Sequence, residues 1–357
     1  MSKVAPLPIG PAFPWLAPLA GRTDLPFRLL CREQGAAVAC TEMVSARGLV
    51  YETRSGGRGK ALPSRALLLS TPLPGLRAES DVPLVVQLFG GEPFFLGEAV
   101  ALLRSWGYAY FDLNLGCPVP KVVKSGAGAA LARNAALALE AARAMLEAAG
   151  PGRVGFKFRL GWNREEENYL ELGEALAGSG ASWLTLHPRY ARQGFSGRAD
   201  WGALARLKSA VKAPVLASGD LFTAEDAVRC LRESGADGLM FARGALYNPA
   251  VFGEFKAAWS RGPAEVAGEG AGEGSREERR PDVSRLKRLV LRHAELVRAV
   301  PGKESRGGPD PRLLKMRGAV QLYVRDFPGS RAFRQDLGFC RDWDNFYQLT
   351  DDCFAGN

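Results

Sequence analysis

Eight short apolar runs, separated by stretches of helical periodicity, restrict the first two-thirds of this chain to few folds. The runs span residues 15–19, 37–43, 84–89, 110–115, 154–160, 183–187, 214–217 and 238–241. Helical patterns lie between most of them, as at residues 98–106, 135–149, 166–176 and 224–233. Strands that alternate with helices form a parallel sheet, and eight such units predict an α/β chain with a closed (β/α)8 TIM barrel.

A doubly wound open sheet is the alternative arrangement of the same elements. Its usual six strands match eight apolar runs less well. Each run also ends in a short polar or Gly-rich turn. In a barrel such turns meet at the C-terminal face, where the active sites of this fold lie, so the candidate site is expected there.

The composition changes after the last apolar run. Residues 261–281 are mostly Gly, Glu, Ala and Arg, which cannot bury enough apolar surface to become ordered, and they predict a flexible linker. Beyond the linker, apolar residues recur at helical spacing: Leu286, Leu289, Val290, Ala294, Val297, Leu314, Ala319, Leu322, Tyr323, Phe346 and Leu349. We therefore predict a barrel domain over residues 1–260, a linker, and a small all-helical domain over residues 282–357.

The formal net charge of +9 indicates an acidic partner, and nucleic acid is the commonest large polyanion of a cytoplasm. Residues 282–357 contain 14 Lys or Arg against 10 Asp or Glu. Many of these bases fall on predicted helices and suggest one basic face: Arg285, Lys287, Arg288, Arg292, Arg312, Lys315 and Arg317. An ordinary solvated helix surface is the other interpretation.

Several classes of protein are disfavoured. No stretch approaches the roughly 18 to 20 apolar residues of a membrane span, and the Pro-interrupted start does not form a signal-peptide core, so we expect a cytoplasmic protein without a membrane partner. The six cysteines lack CxxC spacing and the chain has only two histidines, which argues against a metal site or a disulfide scaffold. We expect a monomer.

One cysteine stands apart from the others. Cys117 lies in the sequence NLGCP at residues 114–118, where Gly116 permits close backbone approach and Pro118 stiffens the turn at a predicted strand end. Such a thiol can reach a bound substrate, although a structural loop residue is the alternative. Cysteines 31, 40 and 230 lie within helix or strand patterns, where cysteine behaves as a small buried hydrophobe.

Several motifs in sequence resemble those of the tRNA-dihydrouridine synthases. They are APLAGRTDLPFR at residues 17–28, TEMV at 41–44, DLNLGCP at 112–118, KFR at 157–159, HPR at 187–189, SGD at 218–220 and RG at 243–244. Their order and spacing match the family over nearly the whole barrel and, more loosely, in the tail around residues 327–334. The resemblance implies reduction of the C5=C6 bond of uridine in tRNA by FMN, with NADPH as the reductant.

The resemblance also implies roles for individual residues. Cys117 would donate the proton to C5 of uracil. FMN would lie against Pro18, Leu19 and Ala20, bonded by Gln87, with Lys157 near flavin N1 and O2. Its ribityl chain and phosphate would contact His187, Ser218, Gly219, Asp220, Ala242 and Arg243. Asn114 would read the edge of the uracil, and Lys121, Arg159 and Arg189 would hold RNA phosphates or the uracil carbonyls.

Three departures from the family pattern lie at the cofactor end: Ser218 replaces Asn, Ala242 replaces Gly, and Pro188 replaces Gly. Altered FMN affinity is the expected consequence. Three other functions remain open at this point. An FMN barrel acting on a free pyrimidine would share the barrel and the lysine, a non-catalytic RNA-binding relative would share the basic tail, and the glycines at 126 and 128 resemble a dinucleotide motif that lacks its preceding strand.

Overall fold

Eight strand positions close into a parallel barrel in the computed structural model, which describes residues 5–54, 81–262, 282–300, 308–325, 327 and 330–355. The strands are β1 (Trp15–Leu16), β2 (Val38–Cys40), β3 (Val44–Ser45), β4 (Leu84–Phe89), β5 (Tyr110–Leu115), β6 (Val154–Arg159), β7 (Trp183–His187), β8 (Val215–Ala217) and β9 (Gly238–Phe241). β1 pairs in parallel with β2 on one side and with β9 on the other, which closes the ring. The predicted TIM barrel is confirmed.

The second strand position is shared by two short strands. β2 pairs with the start of β4 and β3 with its end, so the prediction of one continuous strand over residues 37–43 is wrong. Between them the hydroxyl of Thr41 accepts a hydrogen bond of 3.1 Å from the backbone N–H of Gln87. A side chain thus replaces a backbone acceptor of the ladder at this point.

Helices connect most of the strands, as the periodicity predicts. In the barrel region the structure has α1 (Leu25–Glu33), α2 (Ala46–Arg54), α3 (Pro93–Ser105), α4 (Pro120–Val123), α5 (Ala129–Ala132), α6 (Ala135–Ala149), α7 (Tyr169–Gly178), α8 (Trp201–Ala210), α9 (Ala224–Ser234), α10 (Arg243–Tyr247) and α11 (Val251–Ser260). Side-chain caps set several boundaries. Thr223 and Asp226 form a capping box at the start of α9, and Gly235 ends that helix in the left-handed conformation.

Large aromatic side chains fill the end of the barrel where the strands begin. Trp15 and Trp183 are almost fully buried and meet edge to face, with ring centroids 5.5 Å apart. Gly155 on β6 lies against the Trp183 indole, because a Cβ at position 155 would be 1.9 Å from Cε2 of that ring. The N-terminal end of the barrel is therefore packed solid, and any cavity must open at the other end.

We predict that Gly155→Ala destabilises the protein by about 3 kcal/mol, since the added methyl overlaps a rigid indole inside a packed core. Urea denaturation would measure this change. Gly178→Ala is the matched control, because a Cβ at the end of α7 would meet nothing within 4 Å. Equal stability of the two variants would contradict the described packing of Trp183.

Among the described residues after the barrel, the chain forms α12 (Val283–Ala299), α13 (Pro311–Tyr323), α14 (Ser330–Phe339) and α15 (Trp343–Ala355). The apolar spacing predicted for α12 is confirmed, because Leu286, Val290 and Val297 are buried. The spacing predicted for α13 is partly wrong. Leu314 is 45 % exposed, and the helix buries Met316 on its packed face instead.

The tail helices pack against the barrel near α1. Arg292 on α12 forms an ion pair with Glu33 at 2.7 Å, and the rings of His293 and Phe27 lie 5.8 Å apart. Of the predicted linker, residues 263–281 lie outside the described residues, as do residues 328–329 of the tail motif. The domain boundaries therefore stay a prediction. Within the described ranges, the structure contains no helix of the length and apolarity needed to cross a membrane.

Candidate active site

A cavity of about 260 Å³ opens at the C-terminal face of the barrel. Every residue predicted from the sequence for the site lines it, except Lys121 and Arg189. The lining comes from the ends of β1, β4, β5, β6, β7, β8 and β9, so residues far apart in the chain meet in one place. The predicted convergence of the turns is confirmed.

Lys157, on β6, is a cation of the cavity wall. Within the part of the chain that the structure describes, no hydrogen bond or ion pair involves its ammonium group. Burial and repulsion from Arg159 lower the pKa of Lys157 to about 8, although Asp112 acts in the opposite direction. An ammonium held in this way favours a ligand that brings hydrogen-bond acceptors or negative charge.

Arg159 and His187 also line the cavity. Arg159 donates from Nη1 to the carbonyls of Tyr190 and Gly194 at 3.1 and 2.9 Å, which fixes the guanidinium. Burial and then the charges of Lys157 and Arg159 lower the pKa of His187 far below its ordinary range. His187 is therefore neutral at physiological pH and can both donate and accept a hydrogen bond.

Asp220 organises the cavity wall formed by the loops after β8 and β9. Its carboxylate pairs with Arg189 at 2.6 Å and Arg243 at 3.1 Å, and it accepts the N–H of Ala199 at 2.8 Å. Burial opposes ionisation of Asp220, but the hydrogen bonds from Arg189 and Ala199 outweigh it and lower the pKa. Gly219 (φ +112°) lies so close to His187 that a Cβ there would be 2.7 Å from the imidazole.

Two phenylalanine rings hold the Arg243 guanidinium between them. Its Cζ lies 4.4 Å from the ring centroid of Phe195 and 4.8 Å from that of Phe222. Phe195 is 58 % exposed at the cavity rim. Both rings therefore support the guanidinium, whose Nη2 also donates to Asp220 at 3.1 Å, and its positive charge still attracts an anionic ligand.

The loop that carries Cys117 is tied down by the backbone. Asn114 Oδ1 accepts the N–H groups of Gly116 and Cys117 at 3.1 and 2.9 Å, and the carbonyl of Cys117 accepts the N–H of Ala129 at 3.0 Å. The thiol is partly exposed to the cavity. Burial raises the pKa of Cys117, so the group is a protonated thiol at neutral pH.

Lys121 and Arg189 occupy other positions than the predicted ones. Lys121 lies on α4 with an exposed side chain and does not line the cavity. Arg189 is almost fully buried behind the cavity wall, and its guanidinium is bonded to Asp220, His187 and two loop carbonyls. The geometry makes Arg189 a support for the wall, and direct contact of either residue with RNA stays a prediction.

Sequence reasoning missed several residues of the cavity and its walls. Phe195 and Phe222 follow β7 and β8 in loops, where no periodic pattern indicates which side chain turns inward. Met43 lines the cavity because the second strand position breaks at Thr41. Asp112 is two residues before Asn114 on β5, and this period of two places both on the inner face of the barrel. That signal was present in the sequence.

The fold and the cavity together define a class, a TIM-barrel enzyme whose electropositive mouth fits an anionic cofactor. Comparison with known proteins refines this class. The family model for dihydrouridine synthase (Dus) matches residues 15–355, so the chain belongs to the dihydrouridine synthase family, whose members are flavin-dependent oxidoreductases. The resemblance found in the sequence motifs is confirmed, and the alternative functions are not favoured.

Curated relatives agree over most of the chain. It is 34 % identical over 322 residues to a probable tRNA-dihydrouridine synthase 1 of Synechocystis sp., covering 90 % of this chain and 80 % of that protein. It is 31 % identical over 353 residues to the tRNA-dihydrouridine synthase B of Xanthomonas axonopodis pv. citri, covering 99 % and 95 %. Among solved structures, the old yellow enzyme homologue of Zymomonas mobilis shares the fold, with a TM-score of 0.50, 13 % identity, and coverage of 72 % of this chain and 92 % of that one.

We predict that Asp220→Ala lowers the free energy of unfolding by about 3 kcal/mol, because it leaves the buried Arg189 without its counter-ion. Urea denaturation would measure the loss. Asp200→Ala removes a carboxylate that pairs with Arg206 where both side chains are about half exposed, and should cost less than about 1 kcal/mol. A stability of Asp220→Ala equal to that of the control would show that this ion pair does not support the wall.

Proposed function

We propose that this protein reduces the C5=C6 bond of uridine in tRNA, with FMN bound in the barrel cavity and NADPH as the reductant, in the cytoplasm. One observation supports the proposal most strongly. Lys157, a cation with no partner among the described residues, and Cys117, a protonated thiol, line the same cavity. The curated relatives of Synechocystis and Xanthomonas are named for the same reaction on tRNA.

The residues of the cavity fit FMN. One side of the cavity is lined by Pro18, Leu19 and Ala20, whose apolar side chains offer a surface against which a flat ring can lie. Lys157 offers an ammonium to the electron-rich edge of that ring. At the other end, the supported guanidinium of Arg243 and the backbone around Gly219 suit a phosphate dianion. Ser218, Asp220 and Ala242 complete that end.

The departures from the family pattern are compatible with this assignment. Ser218 keeps a hydroxyl in the cavity wall, and Ala242 is a partly buried residue between β9 and Arg243. Pro188 N has no hydrogen to donate, but its carbonyl accepts the N–H of Asp200 at 2.9 Å. We therefore propose that these substitutions adjust FMN affinity and do not prevent binding.

A reduced flavin held by Lys157 and Arg243 would supply the hydride for C6 of the uracil ring. The protein must then protonate C5, and Cys117 is the thiol placed to do so. Because burial raises the pKa of Cys117, the proton is present at neutral pH. Asn114 would read the uracil edge by exchanging its contact with Met43 Sδ, since its other hydrogen bonds go to Gln87 and the Cys117 loop. Arg159 would contact a carbonyl of the base or a nearby phosphate.

The tail helices would contribute to tRNA binding, since a cavity of this size holds one flipped base and offers little surface to a folded RNA. The structure pairs most of the tail bases with groups of the protein itself. Lys315 pairs with Asp24 at 2.6 Å, and Arg312 with Asp310 at 2.8 Å. Such partly exposed pairs are weak in water and can exchange for phosphate.

We predict that Cys117→Ala keeps flavin and tRNA binding but slows uridine reduction by on the order of 10² to 10⁴-fold, the usual size of a general-acid contribution. Dihydrouridine formed on tRNA in a single turnover measures the rate. Reduction of the flavin by NADPH should be unchanged. Cys353→Ala removes the other partly exposed cysteine and serves as the control. Wild-type uridine reduction by Cys117→Ala would rule out the proton-donor role.

We predict that the purified protein carries FMN and that the flavin-free protein binds FMN less tightly as the pH rises through about 8. The lowered pKa of Lys157 means that the ammonium loses its proton near this pH, whereas bound FMN stabilises the charged form, so binding must weaken above it. Lys157→Met should bind weakly with little dependence across this window. Lys121→Met, altered outside the cavity, should keep the wild-type profile. A colourless protein that cannot be reconstituted, or a wild-type profile for Lys157→Met, contradicts the assignment.

A further inference from the structure

A line of buried polar side chains runs from the barrel interior to the Cys117 loop. Gln87 donates from Nε2 to Oδ2 of Asp112 at 2.6 Å, and its Oε1 accepts a hydrogen bond from Asn114 Nδ2 at 2.9 Å. Asn114 Oδ1 in turn accepts the backbone N–H of Cys117 at 2.9 Å. Three adjacent side chains thus connect β4 and β5 to the thiol loop.

The backbone N–H of Cys117 lies at the outer end of this line, and it determines which atom donates and which accepts in every hydrogen bond of the line. A backbone N–H only donates, so the atom of Asn114 that faces Cys117 must be its oxygen. The amide nitrogen of Asn114 then faces Gln87, which must present its oxygen. The nitrogen of Gln87 consequently faces residue 112, and only an acceptor satisfies it there. A carboxylate, which accepts and does not donate, meets this requirement in either rotamer.

The buried position of Asp112 makes a charged group unfavourable in free energy. Its side chain is 1 % exposed, and its second oxygen, Oδ1, has no hydrogen bond of normal geometry among the described residues. A weaker contact with the indole N–H of Trp183 also favours the charged form of this carboxyl group. Burial raises the pKa of Asp112, whereas the hydrogen bond from Gln87 and the charge of Lys157 favour ionisation. A carboxyl group that served only to fill the barrel would be replaced at lower cost by an apolar residue.

We propose that Asp112 is a positioning residue that sets the place of the Cys117 thiol through Gln87 and Asn114. The inference deepens the proposed function, since it gives the reason why a thiol on a loop stays aimed into the cavity. Asp112 itself does not touch the substrate. Its contribution is to hold the inner end of the line, so that Asn114 keeps its oxygen toward the loop and the loop keeps one conformation.

Asp112→Leu removes the acceptor while keeping the branched shape and the number of heavy atoms, which leaves Gln87 Nε2 buried without its partner. Asp112→Asn removes the charge but can turn an amide oxygen toward Gln87, so the line survives. Thr185→Val is the matched control. Thr185 is fully buried on β7, which β6 separates from β5, its hydroxyl has no partner among the described residues, and it takes no part in the line.

The primary measurement is the rate of alkylation of Cys117 by iodoacetamide in the protein without tRNA, with Cys117→Ala providing the background from other cysteines. Asp112→Leu should speed alkylation by on the order of 10-fold, because a loop freed from Asn114 exposes its thiol. Asp112→Asn and Thr185→Val should stay close to the wild-type rate. Gln87→Met interrupts the line at its centre and should show the same alkylation rate as Asp112→Leu. It tests the proposal if Asp112→Leu does not fold.

A second measurement follows uridine reduction in tRNA by flavin that has been reduced beforehand. Asp112→Leu should slow this step by on the order of 10-fold to 100-fold while the rate of flavin reduction by NADPH is kept. Asp112→Asn should recover most of the lost rate. Unchanged alkylation in Asp112→Leu and Gln87→Met, or equal loss in Asp112→Asn, would overturn the inference. A wild-type protein that reduces no uridine would instead refute the proposed function, and the alkylation rates would still test the line.

Discussion

Closure of the barrel is the constraint on which the site depends. β1 reaches both β2 and β9, and that pairing brings the turn after β1 beside the loop that carries Arg243. Without closure, the residues proposed to hold the two ends of one cofactor would lie at opposite edges of a sheet. The tryptophans at the strand starts fill the other end, so the cavity has a floor and a single mouth.

Two carboxylates control the cations of this cavity in different ways. Asp220 lies at the wall and pairs with Arg189 and Arg243, which holds both guanidinium groups in place and leaves a net positive charge there. Asp112 lies inside the barrel and uses its accepting oxygen on Gln87, leaving Lys157 without an ion pair within the described chain. The cavity therefore has one cation held by an ion pair, Arg243, and another without an ion pair in the described chain, Lys157, a distribution that suits the proposed phosphorylated, electron-accepting cofactor.

The sequence predicts the barrel and most of the cavity because both follow from local patterns. Gln87, Asn114, Lys157 and His187 lie on strands, where alternation and the position of the turn place the side chain. Arg189 could not be assigned in this way, since its partner Asp220 follows the next strand and only the tertiary structure shows that the two pair. The break at Thr41 was hidden for the same reason, because the competing hydrogen bond comes from another strand.

The number of basic residues in the tail does not show which of them form a binding surface. Its bases were expected to form one basic face, yet several of them fasten helices to each other or to the barrel, as Arg292 does through Glu33. Their position still has a functional consequence. Lys315 contacts Asp24 in the loop after β1, and Arg325 lies 4.4 Å from the ring centroid of Tyr247, which stacks on Phe222 in the cavity wall. The tail is thereby held against two sides of the cavity mouth, beside the place where the proposed function puts the folded tRNA.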